Sequence, residues 1–230
     1  MTNELILQNP WWDDARRIED DPYLKKVAAL PFRYQPNVIS PSDLSQSAVM
    51  TLRGPRQIGK TTYIKSLIWE LLKKKVPATN IFYYNTELLA DERELFAIAR
   101  EFVDFSAAGK RFIFFDEITL VPKWEYAVKH IVDTGLGADV LFILTGSSAV
   151  DLRRGGERLP GRRGMAQPDR VLLPLSFRQY CLLRNYEKTE ALALSRWQES
   201  LTGLLPKLKV FFPHLQSYFE TYLFRRGNSD

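Results

Sequence analysis

Residues Gly54-Pro-Arg-Gln-Ile-Gly-Lys-Thr61 match the pattern G-x-x-x-x-G-K-[ST]. Glycines at the ends of such a loop let backbone N–H groups close around phosphate oxygens, aided by the positive end of the following helix. Gly54, Pro55, Arg56, Gln57, Ile58, Gly59, Lys60, Thr61 and Thr62 are therefore expected to line an ATP site. Lys60 is expected to reach the β- and γ-phosphates from a solvent-accessible anion site, and the Thr61 hydroxyl to bind Mg2+. Further along, Phe112-Ile-Phe-Phe115 carries Asp116 and Glu117 to the end of an apolar strand. Asp116 is expected in the Mg2+ shell, and Glu117 is expected to polarise the attacking water. That second carboxylate separates a hydrolytic ATPase from small-molecule kinases and many GTPases, which need no such group there. Val140-Leu-Phe-Ile-Leu144 brings Thr145 and Ser147 to another strand end, where a hydroxyl could sense the γ-phosphate or orient the lytic water. A turn leading off the strand is the competing reading of those hydroxyls.

Between Asp151 and Arg170 lie six arginines against three acids, together with four glycines and two prolines. A Gly-rich arginine loop suits phosphates better than packing. Arg153, Arg154, Arg158, Arg162 and Arg163 are candidates for a finger that stabilises charge on the transferring phosphoryl, within the chain or in a neighbouring subunit. Arg162, between Gly161 and Gly164, is the one singled out, with a solvated basic loop or a nucleic-acid contact as alternatives. His130 and His214 each stand alone and do not suggest a metal site. Phe32, Arg33 and Tyr34 precede the first strand, where a chain often passes the adenine, although aromatic packing in the lead-in explains them better.

The elements that must position these groups follow a regular rhythm. Short apolar strands are expected at 48–53, 81–84, 111–115, 140–144 and 171–175, with helices at 60–75, 91–105 and 124–133. Strands apolar on both faces, alternating with helices, predict an α/β domain with a parallel sheet covered on both sides. Residues 1–45, with prolines at 10, 22, 31, 36 and 41, are expected to wrap that core as a helical and irregular lead-in. The ATPase core is assigned to 46–180. Residues 181–230 are expected to form a helical lid or linker.

Composition narrows the class. At 230 residues the chain is long enough to bury roughly 70–75% of its unfolded surface. One cysteine, Cys181, excludes an internal disulfide. The first residues lack a signal-peptide pattern and no apolar run is long enough to cross a bilayer, so a cytoplasmic protein is expected. A formal charge of +5 permits an anionic partner without requiring one. No Asn-Lys-x-Asp-like segment for reading guanine appears.

Asn9-Pro-Trp-Trp12, Gly54–Thr61, Asp116-Glu117, Thr145–Ser148, Leu159-Pro-Gly-Arg162 and Pro174-Leu-Ser-Phe-Arg178 together resemble a group of prokaryotic AAA-type P-loop ATPases. The resemblance covers roughly residues 8 to 180. It implies a three-layer P-loop NTPase sandwich of the additional-strand type, with sheet order 5-1-4-3-2. It also implies a role for Arg162 in a shared site between self-associated subunits. Members of the group usually continue into a C-terminal domain of unknown role. Phe219-Glu-Thr-Tyr-Leu-Phe224 resembles the approach to it, leaving open a naturally short protein or an excised ATPase domain. The activity expected is ATP hydrolysis coupled to an unidentified partner. The alternatives are a nucleotide-dependent switch with little turnover and a nucleic-acid-binding module using the arginine stretch.

Overall fold

The computed structural model describes residues 2–30, 36–157, 159, 160, 167–177, 179, 180, 219, 220 and 222. Five strands form one sheet: β1 (Ala48–Arg53), β2 (Ile81–Asn85), β3 (Arg111–Asp116), β4 (Val140–Gly146) and β5 (Asp169–Val171). Every pairing is parallel, and the order is β2-β3-β4-β1-β5, which is the expected 5-1-4-3-2 read from the other edge.

The sheet is accompanied by the α-helices α1 (Asn3–Gln8), α2 (Pro22–Ala28), α3 (Pro41–Leu44), α4 (Lys60–Lys73), α5 (Glu92–Phe105), α6 (Trp124–Asp133) and α7 (Ala149–Glu157). Successive strand residues point to opposite faces, so β1, β2, β3 and β4 each feed two cores. Val49, Ile113, Phe115 and Phe142 pack with Leu95 and Phe102 of α5 and Val128 and Ile131 of α6. Met50, Leu52, Phe114 and Ile143 pack with Ile64, Leu67 and Ile68 of α4 and with Trp11 and Ile18 of the lead-in. The sheet is thus covered on both sides, as its apolar strands require.

Prolines 10, 22 and 41 each open a short helical segment, because a first-turn residue needs no N–H partner. They segment the lead-in into short helices.

That lead-in seals the open edge of β2. The Asn9 side chain donates to the Tyr83 carbonyl at 2.9 Å and accepts from the Tyr83 N–H at 2.7 Å, imitating a neighbouring strand. The indole N–H groups of Trp11 and Trp12 both donate to the Ile81 carbonyl, and the Asn85 N–H donates to Gln8. Unpaired edges template aggregation, so these side chains do what another strand would otherwise do. Asn9→Ala should therefore cost about 1–3 kcal/mol in urea denaturation, because it strands a buried N–H and carbonyl. A loss within the roughly 0.5 kcal/mol typical of surface changes would contradict the seal.

Two expectations need correction. The fifth strand is Asp169–Val171 rather than 171–175. Thr51 N–H donates to the Pro168 carbonyl and Leu172 N–H to the Arg53 carbonyl, after which Pro174 has no N–H to extend the ladder. Arg153 and Arg154 lie not in a loop but on α7, where Arg153 pairs with Glu157 at 3.1 Å. Gly155 serves packing there: a Cβ would lie 2.3 Å from the Trp124 ring, so only glycine lets α7 approach α6.

The chain divides into two compact units, Met1–Leu30 with Gln35–Leu173, and Pro31–Tyr34 with Pro174–Asp230. In the second, Phe177, Tyr180, Phe219 and Tyr222 pack their rings together, and the Tyr222 hydroxyl donates to the Leu175 carbonyl. The helical lid or linker expected over 181–230 falls almost wholly outside the described residues, as do Cys181 and His214. No helix among the described residues is long and apolar enough to cross a membrane.

Candidate nucleotide site

The site residues collect at the carboxyl ends of β1, β3 and β4, where register aligns Leu52 with Thr145 and Arg53 with Gly146. Open α/β sheets bind ligands at this edge because their loops converge there. β1 leads into the loop at Gly54, whose α-carbon sits so close to the Leu172 carbonyl that a Cβ would be 2.7 Å from it. Gly59, with φ +92°, turns the loop into α4 through a conformation that favours glycine. Lys60 and Thr61 then open α4, while Pro55, Arg56 and Gln57 face solvent and Ile58 and Thr62 are half-buried.

Lys60 is only 5% exposed, contrary to the expectation of an accessible ammonium. Its Nζ donates to the carbonyls of Gly54 and Pro55, each at 3.2 Å, and lies 3.7 Å from Glu117 Oε1. The short loop folds back over its own lysine, which explains the burial.

Asp116 is buried at the end of β3 and accepts from three hydroxyls. Thr61 Oγ1 donates to Oδ2 at 2.6 Å, the Tyr83 hydroxyl donates to the same oxygen at 3.1 Å, and Thr145 Oγ1 donates to Oδ1. Thr145 also accepts from the Glu117 N–H at 3.1 Å, so one buried hydroxyl ties both carboxylate residues to β4. Glu117 itself sits at φ 55°, a left-handed conformation that costs a non-glycine residue of order 1 kcal/mol or more and clusters at functional sites. The turn sends its side chain back toward Lys60, and Oε2 accepts from the Ser147 N–H at 2.7 Å. Ser147 thus contributes its backbone rather than its hydroxyl to this contact.

Lys60, Thr61, Asp116, Glu117, Thr145 and Ser147 are therefore brought together. Arg162 lies outside the described residues, along with Arg158, Arg163 and the 32–34 segment considered for adenine. His130 packs its ring 4.8 Å from that of Phe96, on the α5–α6 side. No group of three His, Cys, Asp or Glu among the described residues could hold a metal by itself. A hydroxyl and a carboxylate oxygen at contact distance are nevertheless the hard donors that suit Mg2+ alongside phosphate oxygens.

Sequence reasoning missed Tyr83 and Lys65. Lys65 Nζ is 3.5 Å from the Tyr83 ring centroid, 5.1 Å from that of Trp11 and 3.5 Å from Asp21 Oδ2. Burial holds the Lys65 ammonium below its usual range, against the raising effect of Asp21. Burial also pushes the Tyr83 hydroxyl up, and the Asp116 carboxylate adds to that. The one available signal was a lysine on the buried stripe of α4, one turn beyond Thr61.

Among solved structures, the Aeropyrum pernix ORC2 protein in its ADPNP–ADP complexes aligns with 62% of this chain and 46% of its own, at 16% identity and TM-score 0.43. Cdc6p from Pyrobaculum aerophilum aligns with 80% of this chain and 50% of its own, at 14% identity and TM-score 0.40. C. elegans PCH-2 aligns with 78% and 46%, at 14% identity and TM-score 0.37. This chain spans half or less of the length of each. No curated protein matches it. The family model described as AAA domain, AAA_14, matches residues 46–181, which is more than half of the sequence, and the chain belongs to that family.

Proposed function

We propose that this chain binds ATP with Mg2+ in the Gly54–Thr61 loop and hydrolyses it. The observation that carries the reading is the contact of Thr61 with Asp116 at 2.6 Å, with Glu117 beside it within 3.7 Å of Lys60. In this reading the loop N–H groups and Lys60 hold the phosphates, and Thr61 and Asp116 hold the metal. The metal would offset phosphate charge. Glu117 orients a water and accepts its proton, while the Thr145 hydroxyl fixes the Asp116–Glu117 turn. Glu117 beside Lys60 favours water as the acceptor over a small-molecule kinase substrate.

Slow intrinsic turnover has its own support. One Glu117 oxygen accepts from the Ser147 N–H and the other lies 3.7 Å from Lys60, an attraction that draws the carboxylate toward the lysine rather than toward a water. A nucleotide-dependent switch with low basal activity is therefore the second reading. Arg162 of a neighbouring subunit is proposed to complete the site. A protein or nucleic-acid partner is proposed for the remainder of the arginine stretch.

The test is phosphate release from ATP in Mg2+ and in EDTA, across a range of protein concentrations. Release in Mg2+ alone, with specific activity rising with concentration, is expected. Arg162→Ala mixed with Glu117→Gln should regain activity if the site is shared, since a mixed assembly can pair an intact arginine with an intact glutamate. Release that continues in EDTA would overturn the reading.

A further inference from the structure

Asp116 is held on both oxygens by hydroxyls from three separate elements: Thr61 of α4, Tyr83 of β2 and Thr145 of β4. Thr61 and Thr145 fall within the proposed chemistry. Tyr83 does not: it belongs to neither the phosphate loop nor the strand ends that carry the carboxylates, and it is 5% exposed. Behind it, the Lys65 ammonium lies over the phenol ring at 3.5 Å from its centroid. Asp21 and Trp11 of the lead-in also contact that ammonium, at 3.5 Å from Asp21 Oδ2 and 5.1 Å from the Trp11 ring centroid. Asp21 Oδ1 also caps α2 by accepting from the Tyr23 N–H, so its place is fixed independently of Lys65.

Burying an ammonium is costly, and an apolar side chain would fill the same space on this apolar face of α4. A cation over an aromatic face draws on the ring's electron density and strengthens its hydroxyl as a donor. A carboxylate clamped at both oxygens loses little rotational freedom when it takes a metal, and partners behind a metal ligand typically set its affinity. We propose that Tyr83 and Lys65 are positioning residues for Asp116, so that the N-terminal segment, through Trp11 and Asp21, tunes divalent-cation binding at the nucleotide site. The inference rests on the proposed role of Asp116 as the metal carboxylate.

The experiment compares affinity for the β,γ-imido analogue of ATP in Mn2+ and in EDTA, with folding checked by thermal melting. The ratio of the two affinities reads the metal alone. Tyr83→Phe should lower that ratio about tenfold and leave the EDTA affinity unchanged. Lys65→Met should act in the same direction, and the double variant should be no worse than the stronger single one, because both act on one carboxylate. An unchanged ratio in Tyr83→Phe, with the ratio lost in Asp116→Asn, would overturn this inference and leave the metal assignment standing. Equal losses in Mn2+ and EDTA would also overturn it, since that pattern marks general damage to the site. An unchanged ratio in Asp116→Asn would remove the metal assignment, and this inference with it.

Discussion

Glu117→Gln should hold ATP and stop its turnover, with phosphate release falling about 10²–10⁴-fold, the range that a positioned general base contributes. The amide keeps the size of the side chain and can still accept from the Ser147 N–H, so the left-handed turn at residue 117 has no reason to change. What it loses is the proton-accepting charge and the attraction across 3.7 Å to Lys60. Releasing Lys60 toward the phosphates should retain or raise ATP affinity. Equal turnover in wild type and variant, in a preparation with measurable activity, would refute the catalytic role. Turnover near zero in both would instead favour the switch reading.

Lys60→Ala is expected to weaken binding of the imido analogue about 100-fold, since hydrogen bonds to charged groups contribute roughly 1.5–3 kcal/mol each. Its burial adds a second consequence. The Gly54 and Pro55 carbonyls and the Glu117 carboxylate all lose their cation, so stability should fall by about 1–3 kcal/mol as well. Calorimetry below the variant's melting temperature separates the two effects. Unchanged affinity there would sink the phosphate-loop assignment.

The parts of this molecule that were legible in sequence are those in which one short segment carries its own geometry. The loop pattern demands a strand before it and a helix after it, and β1 and α4 supply both. Apolar runs ending in Asp116-Glu117 and Thr145 marked the strand ends, and parallel order then brought them together. Errors arose where tertiary context overrode local signals. The Gly155-Gly156 pair suggested a loop, yet α7 runs through it because Trp124 needs the space that Gly155 leaves. Val171 to Leu175 looked like a strand, but Pro174 cannot donate to the ladder, and pairing had already begun at Asp169.

The prolines of the lead-in argued for a helical and irregular wrap, but they could not show which groups make its contacts. Gln8, Asn9 and two indoles pair with a strand some seventy residues away, a match that no local pattern displays. Tyr83 and Lys65 were hidden similarly. Each looks like part of a buried stripe, and only the packing of α4 on the sheet brings them to Asp116.

The most direct measurement of the central claim is a calorimetric titration of the wild-type chain with the imido analogue of ATP, in Mg2+ and again in EDTA. One site per chain, with affinity markedly weakened by chelation, is the predicted result. No binding in Mg2+, or equal affinity with and without the metal, would contradict a Mg2+–ATP site at Gly54–Thr61 and Asp116.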